Sequence, residues 1–423
     1  MWKKIKRIWH IKDLRNSILF VLSMLILFRV AAHIPVPGVD PVGLKQFLEG
    51  NQILGLLNIF SGGTLENFSV VMLGVAPYIT SSIIFQLLQM VVPQLEELKK
   101  EGESGQQKIQ MWTRLATVPL AILQSFGLIQ LLRASQISVL PDLTTFSYFS
   151  IITTTTAGTV FLMWIGELIT EKRIGNGISL LIFAGIIAAL PRAVQTALIN
   201  YTTADLYLYL LFFGVAIATV VGVVFINEGQ RNIPINYAKQ RMGTRSFGGT
   251  SSYLPLRVNT AGVIPIIFAI SLVLFPPMVA QFFVQGSGFL AQASQFIIAL
   301  FQNQVFYSIF YFLLVFGFTY FYTAIIFQPD KVAQNLQRQG GFIPGIRPGK
   351  ETELYIGKIM TRLVFSGALF LGLIAVMPFV LQAFTGTTAL AIGGTSLLIV
   401  VSVAIDIAKQ VESQLTLHEY DNI

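Results

Sequence analysis

The chain has 423 residues, 54% of them apolar and only 11% charged, with a mean hydropathy of +0.70. A soluble domain carries about 25% charged residues, so the composition excludes a soluble globular protein and leaves an integral membrane protein. Cysteine is absent, which removes disulfides, thiolate metal sites and a cysteine nucleophile. His10, His33 and His418 form no cluster, so neither a metal nor a cofactor is expected.

Residues 1–16 form a basic segment whose Trp2 and Trp9 suit the headgroup level. Its charge resembles a signal-peptide start, but no small-residue cleavage site follows the apolar run, so 17–34 reads as a retained first span. It ends at the turn carrying Pro35, Pro37 and Gly38. The segment 53–68 is semi-polar, broken by Gly62 and Gly63, and too short to cross a membrane needing about 20 apolar residues. The second span, about 70–92, carries Pro77 and the polar run Thr80-Ser81-Ser82. Irregular backbone at membrane depth survives only where it lines a cavity or is buried in protein, so this pair of segments points to a pathway rather than an anchor.

Further spans are expected near 112–132, 149–170, 178–198, 206–226, 261–280, 305–327, 360–383 and 390–408, ten in all. Long polar loops cover 227–257 and 328–358, and a tail covers 409–423. With the N-terminus cytoplasmic, 24 of the 28 Lys and Arg fall on the cytoplasmic side, the exceptions being Arg29, Lys45, Arg133 and Arg192. The positive-inside rule therefore puts both termini in the cytoplasm.

Ten spans divide into halves at 17–200 and 201–408, and an odd number per half forces opposite topologies. Gly74-Val75-Ala76-Pro77 recurs as Gly262-Val263-Ile264-Pro265, and Gly177–Ile182 recurs as Gly394–Ile399. Both pairs fall at equivalent positions of the two halves, which makes spans two, five, seven and ten the expected walls of a central axis. Ile79 and Ile267 lie two residues past the matched prolines, and Ile182 and Ile399 end the other pair. Ile83 and Ile178 share a helix face with Ile79 and Ile182, four residues apart. These six can converge on a constriction that closes a pore by excluding water, although each is also a residue that an ordinary membrane core uses.

The stretches GVAPYITSSIIFQLLQ, EKRIGNGISLL, LPLRVNTAGVIP and GFIPGIRPGKET together resemble the SecY family, the central channel subunit of the bacterial Sec protein translocon. The likeness runs over about residues 10–410. It implies an all-α polytopic fold of about ten transmembrane helices in two inverted five-helix halves, with a re-entrant plug half-helix. It also implies a channel in the bacterial cytoplasmic membrane that passes unfolded secretory chains and releases hydrophobic segments sideways into membrane lipids. The family's pore ring falls on Ile79, Ile83, Ile178, Ile182, Ile267 and Ile399. The plug falls on Leu56, Asn58, Ile59, Phe60, Ser61, Gly62, Gly63, Leu65 and Asn67, whose polar members suit a movable piece in water-filled space; a fixed re-entrant loop is the alternative.

A lateral gate between spans two and seven is expected to involve Thr80, Ser81, Gln86, Gln124, Asn259 and Phe275. Its Ser and Thr can equally bond back to their own helices. Partner docking is expected on Lys239, Arg241, Arg245, Arg257, Arg338, Arg347 and Lys350, in loops whose glycines suit projecting hairpins. The implied partners are the SecE and SecG subunits, the SecA motor ATPase, the ribosome, and secretory and membrane protein precursors. The nearest approach to a phosphate loop, GIRPGKET, lacks the required spacing and has Glu351 where a hydroxyl is needed, so the chain is not expected to be an enzyme. The runner-up is a secondary transporter of a small solute, which also uses inverted repeats. Such carriers usually hold acids at mid-membrane, whereas Glu167, Asp406 and Arg29 lie toward span ends.

Overall fold

The computed structural model describes residues 9–37, 43–44, 48, 58, 61–133, 144–199, 206–237, 240–242, 245–247, 251–281, 283–284, 286, 288–385 and 388–421. Leu56, Ile59, Phe60 and Lys239 lie outside them. Each expected span has a helix: α1 (Lys12–Ala31), α2 (Ala76–Val91), α4 (Glu103–Arg133), α5 (Thr145–Glu171) and α6 (Gly177–Ile199) in the first half. The second half has α7 (Leu206–Glu228), α8 (Ile264–Gln281), α10 (Gln304–Ile326), α12 (Lys350–Thr385) and α13 (Thr388–Asp421). Among the described residues six helices are long and apolar enough to cross a membrane unaided, whereas α2 has 16 residues and α8 has 18.

Local chemistry sets the boundaries. Pro77 starts α2, and α3 (Pro93–Lys100) turns away from it by 98° at Pro93, whose ring cannot continue a helix. Thr144 caps α5 by accepting the Ser147 amide, and Asn303 caps α10 by accepting the amides of Val305 and Phe306. Gly74 and Gly262 both take left-handed backbone, with φ of +58° and +64°, and each sits two residues before its helix begins. Glycine pays little for that conformation. The first repeated motif is thus one structural device used twice. The second is not, because Gly177 opens α6 whereas Gly394 lies inside α13.

The packing repeats as well. In the first half α2 packs on α4, α4 on α5, α5 on α6, and α1 on both α5 and α6. In the second, α8 packs on α10, α10 on α12, α12 on α13, and α7 on both α12 and α13. Every pair has its counterpart at the same ordinal position. The halves meet where α8 touches α2 and α4, and where α13 touches α6.

Two features differ from the sequence reading. The segment after α8 was read as a loop but contains α9 (Phe289–Gln302), an apolar helix too short to span. The two long polar loops are also one structure. In the first, β1 (Gln230–Tyr237) pairs antiparallel with β4 (Ser251–Arg257), with the small hairpin β2 (Gln240–Met242) and β3 (Arg245–Phe247) between them. The second contributes α11 (Pro329–Arg338) and β5 (Gly341–Phe342), which adds to the edge of β1. Ile233, Ile235, Leu256, Leu336 and Ile343 bury themselves with Ile356, Ile359 and Met360 from the start of α12. At about 1.5 Å per residue the 36 residues of α12 reach about 54 Å, well beyond a hydrocarbon core of about 30 Å. The surplus carries the sheet.

Candidate functional site: an apolar constriction between a polar cavity and a buried re-entrant segment

Ile79, Ile83, Ile182, Ile267 and Ile399 are all buried in one apolar cluster, and half-buried Ile178 packs against it. Glycines place them. A Cβ on Gly177 would come within 1.8 Å of the Gly166 carbonyl oxygen, so α5 and α6 meet backbone to backbone. Thr170 Oγ1 accepts the Gly177 amide at 2.9 Å and donates to the Gly166 carbonyl at 2.8 Å, locking that turn. Ile178 then lies over Gly166, where a Cβ would meet its Cδ1 at 2.6 Å.

On one side of the isoleucines is a cavity of about 340 Å³. Ile79, Ile178 and Ile267 form its apolar boundary, and Gln86, Gln110, Arg114, Glu167, Glu171 and Asn176 supply polar groups. Arg114 Nε donates to Glu167 Oε1 at 2.6 Å, joining α4 to α5. Glu167, expected near a span end, thus lines this cavity as half of an ion pair.

On the other side lies the described part of the re-entrant segment, residues 58 and 61–68. A Cβ on Gly185 would fall 2.3 Å from the Gly62 Cα. Along α6, the cavity-lining Asn176 to Ser179, the ring residue Ile182 and the contact at Gly185 therefore follow in order, the last step being about 4.5 Å of helix rise. Of the polar residues expected to suit water-filled space, Ser61 is buried, whereas Asn58 and Asn67 are half-buried, and Thr64 is buried beside them. Their polar atoms serve the segment itself. Ser61 Oγ donates to the Asn58 carbonyl, Asn58 Oδ1 accepts the Glu66 amide, and Thr64 Oγ1 reaches the carbonyls of Ser61 and Met72. Asn67 Nδ2 donates to the Ala32 carbonyl at 3.3 Å.

The candidate gate residues fall into separate groups. Thr80 Oγ1 donates to its own helix at Ala76 and accepts from Gln124 Nε2 at 3.4 Å; Ser81 Oγ donates to the Thr113 carbonyl at 2.7 Å. Gln86 Nε2 bonds within α2, to Ser82 Oγ. All of these close within α2 and α4. Asn259 does not cross to them. Its Nδ2 donates to Asn227 Oδ1 at 2.7 Å and to the Gly262 carbonyl, while its Oδ1 accepts the Gly262 amide. Asn227 in turn donates to Ser402 Oγ at 3.1 Å, and Lys409 pairs with Glu228 at 2.9 Å. Phe275 is half-buried on α8. What faces α2 and α4 from α8 is apolar: Ile267 and Phe268 in the main cluster, and Leu274, which also packs on the cluster of Leu128 and Ile129.

Arg257, Arg338, Arg347 and Lys350 are exposed on the sheet unit, and the backbones of Arg241 and Arg245 lie in its β2–β3 hairpin. Sequence reasoning missed Gly166 and Gly185; glycine inside an apolar helical pattern was the available signal.

A polytopic helical membrane fold with a polar cavity lined from both halves and bordered by an aliphatic cluster is the architecture of a membrane channel. A model of the SecY family matches residues 69–408, and the chain belongs to that family. Relatives named protein translocase subunit SecY include one from Streptomyces galbus, 44% identical with 98% of each chain covered, and one from Halalkalibacterium halodurans, 45% identical with 99% of each covered. Among solved structures, the one described as a protein conducting channel aligns with a TM-score of 0.65 at 16% identity, covering 93% of this chain and 91% of the other. Sec61 in the canine ribosome-channel complex from the endoplasmic reticulum aligns with a TM-score of 0.60, also at 16% identity, covering 93% and 91%.

Proposed function

We propose that this chain is the pore-forming subunit of a protein translocase, a passive conduit for unfolded polypeptides across the bacterial cytoplasmic membrane. The observation that supports the reading is that the six isoleucines, from four helices, belong to one apolar cluster, three of them bordering a polar cavity, while the re-entrant segment packs on the next turn of α6. An ion entering such a constriction loses hydration and gains no ligand, while an extended chain can part flexible side chains and pass. A small-solute carrier needs a polar binding site at this depth, and aliphatic side chains offer none.

In this reading Ile79, Ile83, Ile178, Ile182, Ile267 and Ile399 are the pore ring, and residues 53–68 the plug. The contact of α8 with α2 and α4 is the lateral gate through which hydrophobic segments reach lipid. Both termini are cytoplasmic, and the chain carries no catalytic site of its own. The driving force comes from the proton-motive force or from partners docked on the sheet unit, a SecA-type motor ATPase or the ribosome, whose phosphates suit Arg257, Arg338 and Arg347. SecE and SecG are the small subunits that complete the channel. The ribosome is favoured further by the structural likeness to Sec61 in a ribosome-channel complex.

The ring is tested by replacing Ile83, Ile182 and Ile399 together with Ser and measuring potassium leak through the resting complex in proteoliposomes. Leak should rise above that of the unsubstituted complex. An unchanged leak would remove the ring as the seal.

A further inference from the structure

Residues 67–70 and residues 61–65 are held in different ways. The stem is pinned by backbone: Val36 donates to the Phe68 carbonyl at 2.9 Å, Val70 donates to the Ile34 carbonyl at 3.0 Å, and Pro35 bridges Ser69. The tip bonds mostly to its own segment, through Asn58, Ser61 and Met72. Among the described residues, one side chain of another element donates to the tip. Arg29 Nη1, on α1, reaches the Gly62 carbonyl at 2.9 Å.

The seat around that carbonyl is made without side-chain interlock. Gly62 has φ +79°, and a Cβ there would lie 2.9 Å from the Gly185 Cα and 3.0 Å from Phe28 Cζ. At this one contact two glycines touch face to face, with no side chain of α6 between them and the tip. The charged hydrogen bond is the strongest single tie in the seat. Arg29 stands in the last turn of α1, where its side chain can turn back onto the tip.

Resting on the channel reading above, we propose that Arg29 is a positioning residue, a latch that holds the tip at Gly62 against Gly185 and sets the threshold at which the constriction is unsealed. Arg29→Met removes the donor and keeps the length; Arg29→Lys keeps a cation but loses the planar fork.

The test uses the absence of cysteine. Ser61→Cys is nearly isosteric, and Ser61 is only 4% exposed. In intact cells carrying the assembled complex, a membrane-impermeant maleimide applied outside should label Ser61→Cys slowly. Adding Arg29→Met should speed labelling by about tenfold to a hundredfold, the shift expected for losing one charged hydrogen bond, with Arg29→Lys in between. Gly185→Ala should do the same by a separate route, because its Cβ cannot coexist with the seated Gly62. A reporter at buried Thr155 in α5, Thr155→Cys, should stay protected throughout.

Unchanged Ser61→Cys labelling in Arg29→Met overturns the latch. Equal labelling of Thr155→Cys also overturns it, since Arg29 would then support the fold rather than the tip. The channel reading fails separately, if a precursor stalled in the otherwise unsubstituted complex leaves Ser61→Cys protected.

Discussion

The contact of α8 with α2 and α4 and the joint of the turn before α8, residues 259–262, with α7 and α13 are built from opposite materials. The first is apolar, made of Ile267, Phe268 and Leu274 against isoleucines and leucines of the other half. The second is a buried polar chain running from Ser402 through Asn227 to Asn259 and Gly262, with the Lys409–Glu228 pair beside it. Hydrophobic contact is non-directional and re-forms with any apolar partner. A seam of that kind exchanges protein for lipid or for a hydrophobic segment with little loss. Buried hydrogen bonds are directional and costly to leave unmade. The joint therefore keeps α8 attached to its own half while the seam parts.

The largest effect should come from breaking the joint. Asn259→Leu strands Asn227 Oδ1 and the Gly262 N–H, at about 1–3 kcal/mol for each buried group left unpaired. The assembled complex in detergent should lose thermal stability clearly, while its dependence on a signal sequence stays as before. A stable variant with altered signal dependence would reverse the assignment and return Asn259 to the gate.

Next in size is a polar intruder in the seam. Leu274→Asn puts an amide among Leu128 and Ile129 and weakens the closed seam by about 1–3 kcal/mol. Precursors with weakened signal sequences should then be exported better than by the unsubstituted chain, a comparison made on the same precursors. The smallest effects belong to Gln124→Leu and Ser81→Ala. Their bonds join α2 to α4 within one half, and interhelical bonds in membranes average about 0.6 kcal/mol. Both variants should show near-normal stability and signal dependence; a strong relaxation of signal selectivity in either would mean that the first half also gives way.

Much of this architecture was legible in the sequence. Apolar length gave the spans, and the repeated Gly-x-x-Pro motif selected α2 and α8, because left-handed glycine followed by proline at a helix start is a local instruction. That motif picked out Ile79 and Ile267, the second repeated stretch picked out Ile182 and Ile399, and four-residue spacing added Ile83 and Ile178, all of which belong to the main apolar cluster or pack on it. The partner of Asn259 did not follow, since a polar residue at a span end names no direction; Asn227 lies 32 residues from Asn259, and Ser402 lies 175 residues from Asn227. Nor did the burial of Ser61, because a short polar segment reads the same whether its hydrogen bonds go to water or to itself. The fusion of two loops into one sheet depends on the two-residue strand β5, too short to show any periodicity. α9 was missed because a largely apolar helix of 14 residues satisfies neither a span nor a soluble helix.

The account stands or falls on a polypeptide path through the isoleucines. Ile83 is 2% exposed on α2, and Leu88 lies on the opposite face of the same helix at 37%. With a single cysteine at Ile83 and a secretory precursor stalled halfway through the complex, the thiol should crosslink to the precursor efficiently, while a cysteine at Leu88 should not. Absence of a crosslink at Ile83, with that thiol protected instead by a small solute, would contradict the channel and restore a carrier.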